Sequence, residues 1–308
     1  MTRYLLRRLL QSVVVLLGIS VIVFALVHMI PGGPALMILG EDANPEQIAI
    51  LEKKLGLDKP VWEQYTTWLG KVIRGDFGTS YQDGRPIMAD LLDRMPATLE
   101  LLAAAMFVAI AIAIPVGVLS AVKRNSLFDS IGRFLALVGV SMPGFWLALI
   151  LILIFAKDLR WLPASGRGDW RHLVMPAVAL GFTLAGLLTR MVRSSVLEVL
   201  REDYLKTARA KGLPESIVIF KHALRNAMLP VITVIALQVG NLLGGTIVIE
   251  SVFAWPGIGR FTYMRMLQRD IPTIMGNLIL FAALVCVLNI VTDLLYAIFD
   301  PRIRYQRS

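Results

Sequence analysis

The 308-residue chain is 56% hydrophobic and 17% charged, with a net charge of +9. A soluble domain averages about 45–50% apolar and about 25% charged residues, so both departures exclude an ordinary soluble domain and point to a membrane. The basic residues sit mostly beside apolar runs, as topology signals and lipid-headgroup contacts rather than a nucleic-acid surface, and the lone Cys286 has neither a disulfide partner nor a metal-ligand cluster beside it.

A helix crossing a hydrocarbon core of about 30 Å needs about 20 apolar residues. Six runs meet that length. The first, Leu9 to Ile30, follows Arg3, Arg7 and Arg8. It is too long for the apolar core of a signal peptide, and Pro31-Gly32-Gly33-Pro34 is no small-x-small cleavage site, so it reads as a retained span. The segment Pro31 to Thr98 is more acidic than basic and is patterned for a small helical insert. Asn44 is placed to cap a helix opened by Pro45, with Gln47 at the capping-box position, Ile48, Leu51 and Leu55 on one face, and Gly56 as the stop. A second helix is predicted after Pro60, with Val61, Tyr65, Trp68 and Val72 at helical spacing. A turn at Asp76-Phe77-Gly78 and a short helix from Pro86, carrying Ile87, Leu91 and Met95, complete the insert. Such an insert serves as a cap on a bundle, as a docking surface for a delivery protein, or as both.

The later spans run from Leu99 to Val122 with Pro115 inside, from Ile131 to Ala156 with Pro143-Gly144 inside, and from Leu173 to Val192. Two more run from Met228 to Val252 and from Thr273 to Phe299, where Asp300-Pro301 stops the last. Proline is tolerated within a span when neighbouring helices satisfy the freed carbonyls, which favours a packed bundle. Gly240 and Gly244 are spaced for close helix packing. With the N-terminus in the cytoplasm, 17 basic residues near span ends fall on the cytoplasmic side and 7 on the other, which places both termini inside. The loop bearing Arg160, Arg167 and Arg171 is the exception.

Between the fourth and fifth spans, residues 193–227 are too short and too polar to cross a membrane. Asp203 is placed to cap a short helix bearing Leu205 and Ala208, which Gly212 ends. Pro214 opens another, with Glu215 in its first turn, Ile217, Phe220 and Leu224 as an apolar stripe, and Lys221 and Arg225 beside it. A helix–glycine turn–helix of this kind lies on a lipid surface or inserts into a groove on a partner.

Tyr204-Leu205-Lys206-Thr207-Ala208-Arg209-Ala210-Lys211-Gly212 and His222-Ala223-Leu224-Arg225-Asn226-Ala227-Met228-Leu229-Pro230 resemble the cytoplasmic loop of importer permeases of the ATP-binding-cassette superfamily. In that superfamily the loop begins Glu-Ala-Ala, reaches glycine after three more residues and ends near Leu-Pro. Ala208 matches the second alanine, Gly212 the glycine and Leu224 the leucine, whereas Lys206, Thr207 and Arg225 depart from the general pattern. Thr-Ala-Arg-Ala-Lys-Gly is similar to the form in the dipeptide, oligopeptide and nickel branch. The resemblance runs the length of the chain. It takes in Arg7-Arg8-Leu9, His28-Met29-Ile30-Pro31-Gly32, Leu55-Gly56-Leu57-Asp58, Gly75-Asp76-Phe77-Gly78, Pro96-Ala97-Thr98-Leu99, Ser141-Met142-Pro143 and Phe253-Ala254-Trp255-Pro256-Gly257-Ile258-Gly259.

The resemblance implies an all-α integral membrane protein of the bacterial cytoplasmic membrane, with six transmembrane helices, a small helical extracytoplasmic insert and a cytoplasmic coupling hairpin. The segments are then residues 1–30 (tail and first span), 31–98 (insert), 99–299 (permease core with coupling loop 193–227) and 300–308 (cytoplasmic tail). It implies two ATP-binding subunits, a second homologous permease subunit, an extracytoplasmic solute-binding protein and surrounding lipid as partners, and no nucleic acid. The chain has no P-loop pattern, so ATP and Mg²⁺ belong to the partner subunits and no cofactor to this one. Thr207, Ala208, Lys211, Gly212, Ile217, Phe220, Lys221, Leu224 and Arg225 are the expected ATPase-coupling residues. Trp255, Arg260, Phe261 and Arg265, in the loop from Phe253 to Pro272, are expected to face the binding protein. Polar residues inside spans are functional candidates by default or interhelical hydrogen-bond partners, and here they are Gln238, Asn241, Asn289 and Asp293, with Glu250 near the outer end of the fifth span. The expected function is the permease subunit of a peptide importer. Nickel or oligosaccharide import is the alternative within the branch, and an ATP-independent channel or membrane scaffold the alternative of another class. An intramembrane enzyme is disfavoured, because neither Gly-x-Ser-x-Gly nor His-Glu-x-x-His occurs.

Overall fold

Long apolar runs satisfy their backbone polar groups internally only as helices or closed barrels, and the computed structural model resolves this choice as helical throughout. It describes residues 2–29, 33–40 and 43–299. Among these, the one β contact is an isolated antiparallel bridge between Thr79 and Pro86. The chain divides into two units, Met1–Pro96 with Gly257–Ile290, and Ala97–Pro256 with Val291–Ser308.

The first unit contains α1 (Thr2–His28), α2 (Gly33–Leu39), α3 (Pro45–Leu55), α4 (Val61–Ile73), the first turns of α5 (Ile87–Val122), α12 (Ile258–Leu267) and α13 (Ile271–Phe299) up to Ile290. Asn44 caps α3 by accepting from the Glu46 N–H, Pro45 sits at its first position, and Gly56 ends it in the left-handed region. The amphipathic α4 turns Tyr65, Trp68 and Val72 onto a core of Val23, Phe24 and Val27 from α1 with Ile271, Met275 and Ile279 from α13. A second core joins Ile87 and Leu91 of α5 to Ile258 and Phe261 of α12. The insert is therefore tied by apolar burial to helices at both ends of the sequence.

The second unit contains the rest of α5, α6 (Leu127–Ser141), α7 (Gly144–Leu151) and its π-helical continuation Ile152–Asp158, and α8 (Trp170–Val199). The hairpin helices α9 (Asp203–Ala210) and α10 (Glu215–Ile217) follow, and a π-helical stretch Val218–Ala223 leads into α11 (Leu224–Val252). Close approach is made by glycine. A Cβ on Gly186 of α8 would stand 2.6 Å from the Ala136 carbonyl oxygen of α6, and one on Gly139 would stand 3.0 Å from that of Phe182. On the α5 side, a Cβ on Gly117 would meet Val192 at 2.7 Å.

Several sequence expectations need correction. The short helix at Pro86 and the second span are one 36-residue helix, which runs on through Pro96 and Pro115. The third span is broken at Met142-Pro143, where proline rejects the preceding helical conformation, and the two pieces diverge by 106°. The loop from Phe253 to Pro272 contains α12. The segment after the first span forms α2, which was not expected. The cap position of α9 is Glu202, so Asp203 lies in the first turn. Gly244 has no atom within 4 Å of a built Cβ, so the tight packing falls on Gly117, Gly139, Gly181 and Gly186 instead. Among the described residues, five helices are long and apolar enough to cross a membrane, and the bent pair makes a sixth if it is one span. Ile30, Pro31, Gly32 and the whole tail from Asp300, including Pro301, Arg302, Arg304 and Arg307, lie outside the described residues.

Candidate functional site

The hairpin after α8 is built around a buried core of Leu205, Ala208, Val218 and Ala223, against which Val199, Leu200 and Leu213 pack. Gly212 makes the reversal with φ +78°, a conformation that glycine adopts without strain. Arg209 clamps the two arms together by donating to both carboxylate oxygens of Glu215, at 3.1 and 2.8 Å. Asn226 donates to the Tyr204 hydroxyl at 2.7 Å, which ties α9 to the start of α11.

Because Val218, Ile219 and Ala223 are turned inward, Ile217 and Phe220 are left outside. Phe220 is 65% exposed and Ile217 38%. Of the expected stripe, Ile217 and Phe220 thus face outward, while Val218 and Ala223 on the other side pack into the hairpin core. Thr207, Lys211, Gly212, Lys221 and Arg225 are exposed, and Leu224 is half-buried. Ala208 is the correction here: it is buried in the hairpin core and offers no outer surface.

A second feature of this unit is a groove of about 370 Å³ between α6–α7, α8 and α11, walled by Val140, Phe145, Leu180 and Leu242. Its polar part is Gln238 with Asn241, joined by a 2.9 Å bond from Asn241 Nδ2 to Gln238 Oε1. Asn289 lies exposed on α13, in the first unit. The side chain of Asp293 lies outside the described residues. Glu250 is fully buried and accepts from Thr98 Oγ1 at 2.7 Å, an interior role for a group expected near the outer end of a span.

Three of the four residues expected to face a binding protein are turned inward. Trp255 is buried and its indole N–H donates to the Ala97 carbonyl at 2.8 Å. Phe261 packs in the core of Ile87, Leu91 and Ile258. Arg265 is buried in an acidic nest: it donates to Asp83 at 2.5 Å and stands 3.6 Å from Asp270 and 3.9 Å from Asp90. Arg260 is half-buried. The exposed positions of α12 are Tyr263, Met264, Met266 and Leu267. The sequence carried no sign of this reversal, because an aromatic or an arginine in a loop reads as surface until its partners are known.

The nest supplies a pH-dependent contact. The hydrogen bond from Arg265 holds the Asp83 carboxyl at about 2, against about 3.9 in an unfolded chain. The fold favours the ionised form, so this contribution is complete above about pH 4 and is lost as pH falls through 2. Removing Arg265 takes the cationic partner from Asp83 and Asp270, while Asp90 keeps Arg94 at 3.1 Å. Arg265→Met is therefore expected to destabilise the insert by up to about 3–5 kcal/mol, less the share that solvent screens at half-open Asp83. A thermal midpoint in detergent equal to wild type would refute this. Asp83→Asn is expected to lose less stability than wild type between pH 5 and pH 2.5, read by tryptophan fluorescence.

Comparison with known proteins agrees with this architecture. Residues 113–305 match the family of binding-protein-dependent transport system inner membrane components, and residues 1–102 match the N-terminal region of such components. The chain is 45% identical to the dipeptide transport system permease protein DppB of Alkalihalophilus pseudofirmus, over 99% of this chain and 100% of that protein. It is 43% identical to DppB of Escherichia coli, with 100% of each chain covered. It is also 43% identical to the glutathione transport system permease protein GsiC of Salmonella choleraesuis, over 99% of this chain and 100% of the other. Among solved structures, a chain of the inward-facing MetNI methionine ABC transporter superposes with a TM-score of 0.59 at 21% identity, covering 69% of this chain and 97% of that one. The glycine-turned hairpin, the apolar helices and these matches lead to one assignment: the chain belongs to the family of binding-protein-dependent transport system inner membrane components, the permease subunits of ATP-binding-cassette importers.

Proposed function

We propose that this permease forms half of a translocation path for dipeptides or a related small peptide such as glutathione, and that separate ATPase subunits drive it by gripping the α9–α10 hairpin. The observation that carries the coupling half is the outward Phe220 with Ile217, on a hairpin whose Lys211, Lys221 and Arg225 are also exposed. A partner groove that covers such a face gains apolar burial at its centre and charge complementarity at its rim. The substrate half is supported by the names of the relatives, dipeptide and glutathione permeases. The neutral amide pair Gln238 and Asn241 in an apolar groove suits a solute whose polar groups are amides. A second permease completes the path, an extracytoplasmic binding protein delivers the solute, and both termini lie in the cytoplasm.

The test is uptake of labelled alanyl-alanine and glutathione by vesicles holding the full transporter. Uptake of neither would refute the substrate class. Phe220→Asp is expected to lower co-purification of the ATPase subunits at least about tenfold, since one desolvated aromatic anchor is worth about 2 kcal/mol or more. Undiminished co-purification would reject the grip. Reporter fusions at Asp83 and Ser308 test topology, and a cytoplasmic signal at Asp83 would overturn it.

A further inference from the structure

Asp129 sits fully buried at the start of α6. Arg193 of α8 donates to both of its oxygens, Nε to Oδ1 at 2.7 Å and Nη2 to Oδ2 at 2.9 Å. The Asn125 N–H donates to Oδ2 at 3.0 Å, and Arg133 Nε stands 3.5 Å from Oδ1. One carboxylate therefore ties together the turn after α5, the first turn of α6 and the last third of α8. The planar fork of arginine matches a carboxylate in direction as well as distance, which the point charge of lysine does not.

The place of this bond along α8 gives it a consequence for the hairpin. Val199, the last residue of α8, and Leu200 pack directly on the hairpin core. At a rise of 1.5 Å per residue, Arg193 is about 9 Å along the axis from Val199. A push on the hairpin enters α8 at Val199 and meets the Arg193–Asp129 bond within two turns. Two turns further on, α8 is locked to α6 backbone against backbone at Gly186 and Ala136. Without the fork, the end of α8 next to the hairpin keeps its packing on α5 at Gly117 and Val192 but loses its directional bond to α6 until the glycine contact at Gly186.

We propose that Arg193 is a positioning residue for coupling: its two-point bond to Asp129 stiffens the end of α8 so that hairpin movement reaches the spans as a rigid displacement. This rests on the reading of the hairpin as the ATPase grip. The assembled transporter in proteoliposomes tests it with Arg193→Lys and Asp129→Asn. Both are expected to keep the ATPase subunits bound and ATP hydrolysis near the wild-type rate. The ATP consumed per molecule of alanyl-alanine or glutathione imported is expected to rise about fivefold or more. A second readout needs no substrate. Spin labels at Lys206 and Leu127, in a Cys286→Ser background, are expected to give a broader distance distribution in Arg193→Lys than in the otherwise wild-type chain. An unchanged ratio with an unchanged distribution would overturn the proposal. So would hydrolysis and uptake falling in parallel with the thermal midpoint, the mark of a purely structural ion pair. Failure of the grip reading is seen separately, as full ATPase binding by Phe220→Asp.

Discussion

Gly212→Val is expected to lower ATPase co-purification and solute uptake about tenfold while the permease stays in the membrane. The argument is confined to the backbone. Gly212 has φ +78°, and a Cβ built on it meets nothing within 4 Å, so no clash contributes. A left-handed conformation costs an L-residue roughly 1–2 kcal/mol, and a β-branched one more. The strain is relieved by rotating the turn, which pulls Val218 away from Leu205 and re-aims Phe220. About 1.4 kcal/mol corresponds to a factor of ten. Asparagine tolerates the left-handed region, so Gly212→Asn is expected to retain most activity. If valine performs like asparagine, φ at this turn does not govern coupling. If the valine variant disappears from the membrane, the turn serves folding.

Gly186→Val is expected to cost the transporter its fold. Here φ is ordinary and the objection is space: the first added carbon would lie 2.6 Å from the Ala136 oxygen and 3.2 Å from Gly139 Cα, both backbone atoms that cannot rotate away. Overpacking typically costs about 1–3 kcal/mol where side chains can adjust, and a backbone obstacle places this case at or beyond the upper end. The measurement is the monodisperse fraction and thermal midpoint of the purified complex. Gly244→Val is the control, since Gly244 has open space around it within the chain. A Gly186→Val complex as stable as the Gly244→Val complex would show that α6 and α8 do not depend on that contact. A Gly244→Val complex that is stable but inactive would place a partner subunit against α11.

The two glycines show what a sequence conveys and what it withholds. Gly212 was legible because a turn between two short amphipathic helices needs positive φ, and that need is local. Gly186 was not, because its requirement comes from Ala136, fifty positions earlier in the chain. The same division runs through the candidate site. Phe220 and Ile217 were readable from helical spacing. That they face outward was not, since Val218, Ile219 and Ala223 are as apolar, and only packing on Leu205 and Ala208 decides which stripe is buried. Arg265 and Trp255 looked like surface and proved to be interior. A charge or an indole is buried wherever its donors find acceptors, and those acceptors, Asp83 and the Ala97 carbonyl, are 182 and 158 residues away.

By itself the sequence determined the membrane environment, the helical class, the insert, the hairpin and the family resemblance, because run length, 3.6-residue periodicity, capping and motif spacing are properties of neighbouring residues. Tertiary structure decided that the chain bends at Pro143 while Pro115, Pro176 and Pro230 stay within helices, the continuity of α5 and α11 with the segments before them, the glycine seams around α8, and which polar side chains pair. Those outcomes depend on which surfaces meet. The free energy of burying a side chain belongs to the contact, and a contact between distant segments is written in no single stretch of the chain.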